Sequence, residues 1–239
     1  MKRWLIVLSL ASAPAAADPV WIGKFPESGD IPAPWQVAQP TNNYPPTRYT
    51  LRQWDGVAAV EAHAVKSMAL LARPVDIDLT KTPVLCWRWR IDTALQAADM
   101  TTKAGDDYAA RIYLSFSVPP ETLGFGTRIA LAAARALRGP QVPDAAINYV
   151  WDNKQPVGRI QASTYTDRSM MWVLRTGAGD AGRWVSERRP VSADFRTAFG
   201  YAPLRLTGVA VATDTDNTGE EARAGFAEFR FVRDDEPCD

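Results

Sequence analysis

From residue 47 onward the chain is a series of short runs that alternate apolar and polar residues, with Gly, Pro or a polar turn between most of them. A period of two places alternate side chains on opposite faces of an extended strand. Each such run must therefore bury one face against something else. The runs fall at 48–54, 57–64, 68–77, 84–91, 107–118, 147–151, 158–164, 170–175, 183–188, 204–213 and 225–233. Gly56, Pro74, Pro83, Pro156, Gly177, Gly182, Pro203 and Gly219 break them up. Strands and helices do not alternate as they would around a parallel sheet. The pattern predicts a mainly β fold, an antiparallel β-sandwich of jelly-roll type.

Residues 18–46 hold Pro19, Pro26, Pro32, Pro34, Pro40, Pro45 and Pro46, which remove ladder donors. They read as an edge strand followed by a wrapping segment. Two helices interrupt the strands. One covers 121–137, within an insertion at about 121–138, and its apolar side is Leu123, Ile129, Leu131 and Leu137. It is expected to pack across an end or edge of the sandwich and to stop at Gly139-Pro140. The other runs from an N-cap at Ser192 through Phe199, with Asp194 in its first turn and Gly200 just past its end. The chain shows no internal repeat, and 18–239 reads as one domain with a short tail at 234–239.

Met1-Lys2-Arg3, the apolar stretch 4–10 and the small-residue run ending Ala15-Ala16-Ala17 have the form of a secretory signal peptide cut after Ala17. The mature chain is then expected in the periplasm or outside the cell. Removing 17 of 239 residues leaves 222, with no run long enough to span a bilayer. Without Lys2 and Arg3 the balance is 25 basic against 27 acidic residues. A formal charge of −2 with no basic block argues against a nucleic-acid partner. Oligomeric state is not legible. Cys86 and Cys238 would face an oxidising compartment; a bridge between them and a buried thiol beside a frayed end are both open readings.

Few residues can carry catalysis. His63 is the only histidine and sits mid-strand. One histidine and two distant cysteines make no zinc site, and no Gly-x-Ser-x-Gly elbow accompanies His63. Phosphate-cradling and dinucleotide glycine motifs are absent, so the sequence implies no organic cofactor.

The densest polar constellation is Gly105-Asp106-Asp107-Tyr108-Ala109-Ala110-Arg111-Ile112-Tyr113-Leu114-Ser115-Phe116. Alternation puts Tyr108, Ala110, Ile112, Leu114 and Phe116 on one face and Asp107, Arg111, Tyr113 and Ser115 on the other. In 85–91, Trp87 and Trp89 turn inward and Arg88 and Arg90 outward; in 147–152, Ile147, Tyr149 and Trp151 alternate with Asn148, Val150 and Asp152. The plain reading is a solvated face carrying cross-strand ion pairs. The functional reading is a polar floor that meets a hydroxylated or anionic ligand. Asp214-Thr215-Asp216-Asn217-Thr218-Gly219 crowds hard oxygen donors on a turn. A calcium loop starting at Asp214 would place Gly219 at its sixth position, but its twelfth is Gly225 where an acid is needed. A polar hairpin turn is the competing reading. Trp21, Trp87, Trp89 and Trp172 look like core, whereas Trp54, Trp184, Tyr44 and Tyr165 flank turns.

Leu85-Cys86-Trp87-Arg88-Trp89-Arg90, Gly105 to Arg111, Asn148-Tyr149-Val150-Trp151, the 194–200 helix and Asp214 to Thr218 together resemble a bacterial family of unknown function, family 3047. The likeness covers roughly 21–231 and implies no activity. The layout is more loosely similar to galactose-binding-like jelly rolls, with Phe25 to Gly29, a following Trp and a closing strand near Phe229. That similarity implies a carbohydrate-binding type of module.

The leading expectation is an exported binding module for a carbohydrate or another polyhydroxylated ligand. Its candidate ligand-binding residues are Asp107, Arg111, Tyr113, Trp151, Asp152, Asp214, Asp216 and Asn217, with calcium at Asp214 and Asp216 as the weaker alternative. A glycoside hydrolase or lyase would need two of Asp106, Asp107, Asp152, Asp214 and Asp216 to converge. A structural envelope protein that binds a protein partner would instead expose a large apolar patch. One geometric expectation is sharper. Arg111, flanked by apolar residues mid-strand, needs carboxylate partners, and Asp214 is the best placed to join Asp107 in that role.

Overall fold

The computed structural model describes residues 18–40, 42–139 and 142–238. The leader at 1–17, Pro140 as a helix stop and the terminal Asp239 lie outside the described residues. Among the described residues thirteen strands form: β1 (Val20–Gly23), β2 (Gln36–Ala38), β3 (Arg48–Trp54), β4 (Val57–Val65), β5 (Leu70–Ile77), β6 (Val84–Ile91), β7 (Tyr108–Ser117), β8 (Ala145–Asp152), β9 (Ile160–Ser163), β10 (Thr166–Thr176), β11 (Val185–Pro190), β12 (Arg205–Asp214) and β13 (Glu221–Val232). They make a six-stranded sheet, β11-β6-β13-β4-β3 with β1 also on β13, and a seven-stranded sheet, β2-β5-β12-β7-β8-β10-β9. All pairings are antiparallel except β8 with β10. The expected β-sandwich is what forms, with one strand more than expected within the wrapping segment, β2.

An aromatic column joins the sheets. Trp87 stacks on Tyr149 at 5.6 Å and 15° and on Phe229 at 6.5 Å and 8°, while Trp89 meets Trp87 edge-on and Trp151 at a tilt. Rings of this size bury the most apolar area per residue, so the alternation in β6, β8 and β13 is what holds the layers together. Trp151 belongs to this column. It is 1% exposed and donates Nε1–H to the Gly177 carbonyl at 3.0 Å, so no ligand ring can stack on it.

The helix α2 (Val191–Phe199) packs Phe195 on Phe116 at 4.6 Å. Its N-cap is Pro190, not Ser192, which lies inside the first turn and accepts from Arg196 at 2.9 Å. Asp194 is buried and takes both guanidinium N–H groups of Arg189 (2.8 and 2.7 Å) and the Tyr149 hydroxyl at 2.5 Å. Gly200 ends the helix in the left-handed region expected of it, φ +80°.

The insertion helix α1 spans Phe125–Arg138 and is preceded by a separate helical turn at Pro120–Thr122. Of its expected apolar side, Leu123 and Leu131 are buried, but Ile129 and Leu137 are exposed. Polar tethers hold it instead: Arg128 to the carbonyls of Leu123 and Pro120, and Arg135 to Val142 and Asp144.

β6 and β7 belong to different sheets, so their polar faces point away from each other across the sandwich. A single polar floor made from Arg88, Arg90 and Arg111 therefore does not exist. On its own face, Arg90 lies over the Trp54 ring at 4.2 Å and the Trp184 ring at 6.0 Å, and both turn-flanking tryptophans are drawn in around it. Trp21, expected in the core, is 42% exposed.

Cys86 and Cys238 form a disulfide with Cα atoms 5.6 Å apart, which settles the open question in favour of a tail tied to β6.

Candidate functional site

The site is built where β12 ends, β7 begins and the segment between β6 and β7 folds over. Two strands with matching twist would pair residue for residue here, but the register shifts between Ala212 and Asp214. Ala212 faces Arg111 while Asp214 faces Tyr108, so β7 carries one extra residue. The Thr213 hydroxyl accommodates the bulge by donating to the Ala109 carbonyl at 2.9 Å. The bulge also turns Tyr108 over. Expected on the inner face with Ala110, it packs with Met100, Val150, Met171 and Val173, and Arg111 lies 5.2 Å from its ring centroid.

Arg111 and Asp214 meet as expected: Nη2 lies 3.0 Å from Oδ2, and both side chains are buried. Asp107, expected as the other partner of Arg111, is buried but serves the turn instead, accepting the backbone N–H of Thr218 at 2.6 Å and of Asn217 at 3.3 Å. Those two bonds pull the 215–220 turn onto the start of β7. One carboxylate oxygen from each of Asp107, Asp214 and Asp216 lies within 4.8 Å of the others. Asp106 is close enough to act electrostatically on both Arg111 and Asp214 and accepts the Tyr108 hydroxyl at 2.9 Å.

Four carboxylates thus face one guanidinium, and the electrostatics show the imbalance. Burial pushes the Asp214 carboxyl up to about 8; Arg111 opposes this, while Asp107, Asp106 and Asp216 add to it. Burial also raises Asp216, with Asp107 adding to the rise, and raises Asp106 against the pull of Arg111. Burial alone would lower Arg111, but Asp214 and Asp106 outweigh it and hold its pKa above the ordinary value.

The frame around these groups is stiff. Thr47 donates to the Thr213 carbonyl at 2.8 Å, the Thr215 N–H reaches Ser67 at 3.0 Å, and Gly219 returns to the Thr215 carbonyl at 3.0 Å with φ +73°. On the other side, the Gly105 carbonyl accepts from both Asp99 and Asp107. Gly105 approaches so closely that a Cβ there would stand 2.6 Å from the Asp99 nitrogen.

The remaining candidates fare differently. Tyr113 is half-buried on the Arg111 face, in register with Ala210 and Asn148. Asp152 is buried and caps the turn after β8, accepting the N–H groups of Lys154 (2.7 Å) and Gln155 (2.5 Å). It is a turn residue. Asn217 is exposed and donates Nδ2 to the Lys103 carbonyl at 2.9 Å. The sequence marks Tyr165, a neighbour of that carbonyl, as a turn-flanking ring without making it a candidate ligand-binding residue. The Tyr165 hydroxyl reaches the same oxygen at 3.4 Å, its ring is 59% exposed, and Lys103 Nζ sits 5.3 Å from the ring centroid. Thr218 adds a hydroxyl oxygen, Oγ1, that is buried with no hydrogen-bond partner among the described residues, as is Asp214 Oδ1. His63 bonds Glu221 at 2.7 Å and takes no part.

Residues 33–230 match the family described as Protein of unknown function (DUF3047). The chain belongs to that family. The match contains all the acidic residues above. No curated protein matches the chain. Among solved structures, it is similar to the xyloglucanase domain of NopAA, a type three effector from Sinorhizobium fredii in complex with cellobiose (8% identity, 84% of this chain and 99% of that one, TM-score 0.41). It is also similar to endoglucanase 3 of Trichoderma harzianum, from family GH12 (10%, 84% and 98%, 0.41), and to a cellulase derived from Cel12A of Rhodothermus marinus (10%, 89% and 98%, 0.41). At that identity and superposition these likenesses place no residue of this family in a role.

Proposed function

We propose that this chain is an exported binding module that takes a carbohydrate or another polyhydroxylated ligand at the corner formed by Tyr165, Asn217 and Asp216. The observation that carries the reading is the open Tyr165 ring beside Asn217, both anchored on the Lys103 carbonyl. A held, exposed ring suits the apolar face of a sugar, and an amide with a part-open carboxylate suits its hydroxyls. The disulfide belongs with an oxidising compartment, and among the described residues no helix is long and apolar enough to cross a membrane. The test is a glycan array with folded protein. Binding should appear and should disappear in Tyr165→Ala and Asn217→Ala while melting temperature holds. An array without a single binder would overturn the proposal.

Glycoside hydrolysis fits less well. Asp107 and Asp214 converge, but both are sealed from solvent, and the two oxygens of Asp107 are already occupied by backbone N–H groups. A second reading has its own observation. Phe125, Ile129 and Leu137 lie exposed along α1, the apolar patch that a protein partner would cover. Sedimentation of the pure chain and of a Phe125→Ser, Leu137→Ser variant tests whether that partner is another copy.

A further inference from the structure

We propose that Asp107, Asp214 and Asp216 hold one calcium ion at the end of β12, with the Thr218 hydroxyl as a further oxygen donor. The inference stands on the geometry of the cluster and does not depend on the carbohydrate reading.

Calcium binds oxygen at about 2.3–2.6 Å, and three oxygens that lie within 4.8 Å of one another can close on a single ion with shifts of a few tenths of an ångström at most. Crowded acids alone would not argue for an ion. The independent observation is inside the cluster. Asp214 is 2% exposed, its Oδ2 is taken by Arg111, and its Oδ1 has no hydrogen-bond partner among the described residues. An oxygen in that position has lost its water and gained nothing from the protein, which is costly unless a cation supplies the missing interaction. Thr218 Oγ1 is in the same condition two residues beyond Asp216.

Charge leads to the same conclusion. Among the described residues the cluster makes one ion pair, Arg111 with Asp214, so four carboxylates meet one positive charge. A divalent ion offsets most of the remainder. The donors are hard oxygens throughout. His63 is committed to Glu221, and both cysteines are in the disulfide, so softer metals find none of their usual ligands here. The site is also held in shape before any ion arrives, because Asp107 is fixed by two backbone N–H groups and the turn by Thr215 and Gly219. Asp216 is only half-buried, which leaves a way in. The arrangement also explains the missing acid of the turn. A self-contained calcium loop would need a carboxylate where Gly225 stands; here Asp107 arrives from the segment just before β7.

The experiment uses the disulfide-intact protein, stripped with chelator and titrated with calcium chloride alone, by calorimetry and by melting temperature. One ion per chain is expected, with Kd of about 10⁻³ M or tighter, the range of extracellular modules, and a rise in melting temperature on saturation. Asp216→Asn should weaken the affinity by about tenfold or more while melting in chelator no lower than the parent, because it removes a repelling charge. Asp214→Asn serves as a second variant and should abolish the response. Absence of heat and of any melting shift at about 10 mM calcium in folded protein would overturn the site. So would an equal response in Asp216→Asn, and an equal affinity for magnesium would overturn the assignment to calcium. Calcium binding without glycan binding would leave this site standing and remove the carbohydrate reading alone.

Discussion

Arg111 touches Asp214 at 3.0 Å yet leaves one oxygen of that carboxylate without a hydrogen-bond partner among the described residues. The pair is therefore half of an arrangement, and its two members respond differently to change. Arg111→Ala removes the partner of a buried carboxyl that already keeps its proton below about pH 8, so at neutral pH it should cost a buried hydrogen bond, about 1–3 kcal/mol. Arg111→Lys keeps the charge but loses the planar fork and should cost less. Urea unfolding in chelator measures both.

Asp214 sets the pH response of the cation-free protein. Its folded-state pKa of about 8 exceeds the ordinary 3.8, so the folded state holds a proton that the unfolded state has released. This contribution is full below the ordinary value and is lost as pH rises through about 8. In chelator, the urea midpoint should be higher at about pH 6 than at about pH 8.5, and Asp214→Asn should flatten the difference. A midpoint that rises with pH over that interval would contradict the assignment.

Asp194 is the anchor of α2. Asp194→Ala leaves the Arg189 guanidinium and the Tyr149 hydroxyl without their partner beneath the helix. The expected loss is about 3–5 kcal/mol by urea unfolding. Ser192→Ala, which removes only a bond to Arg196, should change stability by no more than about 0.5 kcal/mol.

Gly105→Ala puts a methyl 2.6 Å from the Asp99 backbone nitrogen, and backbone cannot step aside cheaply. The segment must shift, at about 1–3 kcal/mol. Because Asp107 N–H is bonded to the Gly105 carbonyl, calcium affinity should fall with it. Calorimetry on the folded variant checks this.

Reducing the disulfide, or Cys238→Ser, opens a bond between residues 152 apart in sequence. The expected cost is about 2–5 kcal/mol, since a long loop regains much freedom when unfolded. Denaturant curves with and without reductant read it.

The strands were legible because alternation reports the face each residue occupies, and Arg111 was legible as a mid-strand charge in need of a partner. The same alternation put Trp151 with Ile147 and Tyr149, so a stacking role for it ran against its own pattern. Tyr108 was misplaced for a different reason. A one-residue bulge at Ala109–Ala110 leaves no mark in composition, yet it reverses everything before it. The polar faces of β6 and β7 could not be told apart either, because the chain changes sheets between residues 91 and 108 and either choice satisfies the period. For α1, the 3.6-residue pattern reveals an apolar side but not whether anything covers it. Tyr165 reached the site through a carbonyl of Lys103, a backbone contact that no side-chain pattern encodes.

β12 and β13, the last two strands, lie inside their sheets. β12 sits between β5 and β7, and β13 between β6 and β4. Each layer stays in pieces until its own central strand is delivered: β2-β5 and β7-β8-β10-β9 wait for β12, and β11-β6 and β4-β3 wait for β13. Closure waits for these two strands, whose non-local pairing joins the pieces nearly at once. Loss of even the last dozen strand residues would empty the middle of a sheet, and the chain would collapse where trimming from the β1 end would merely fray it.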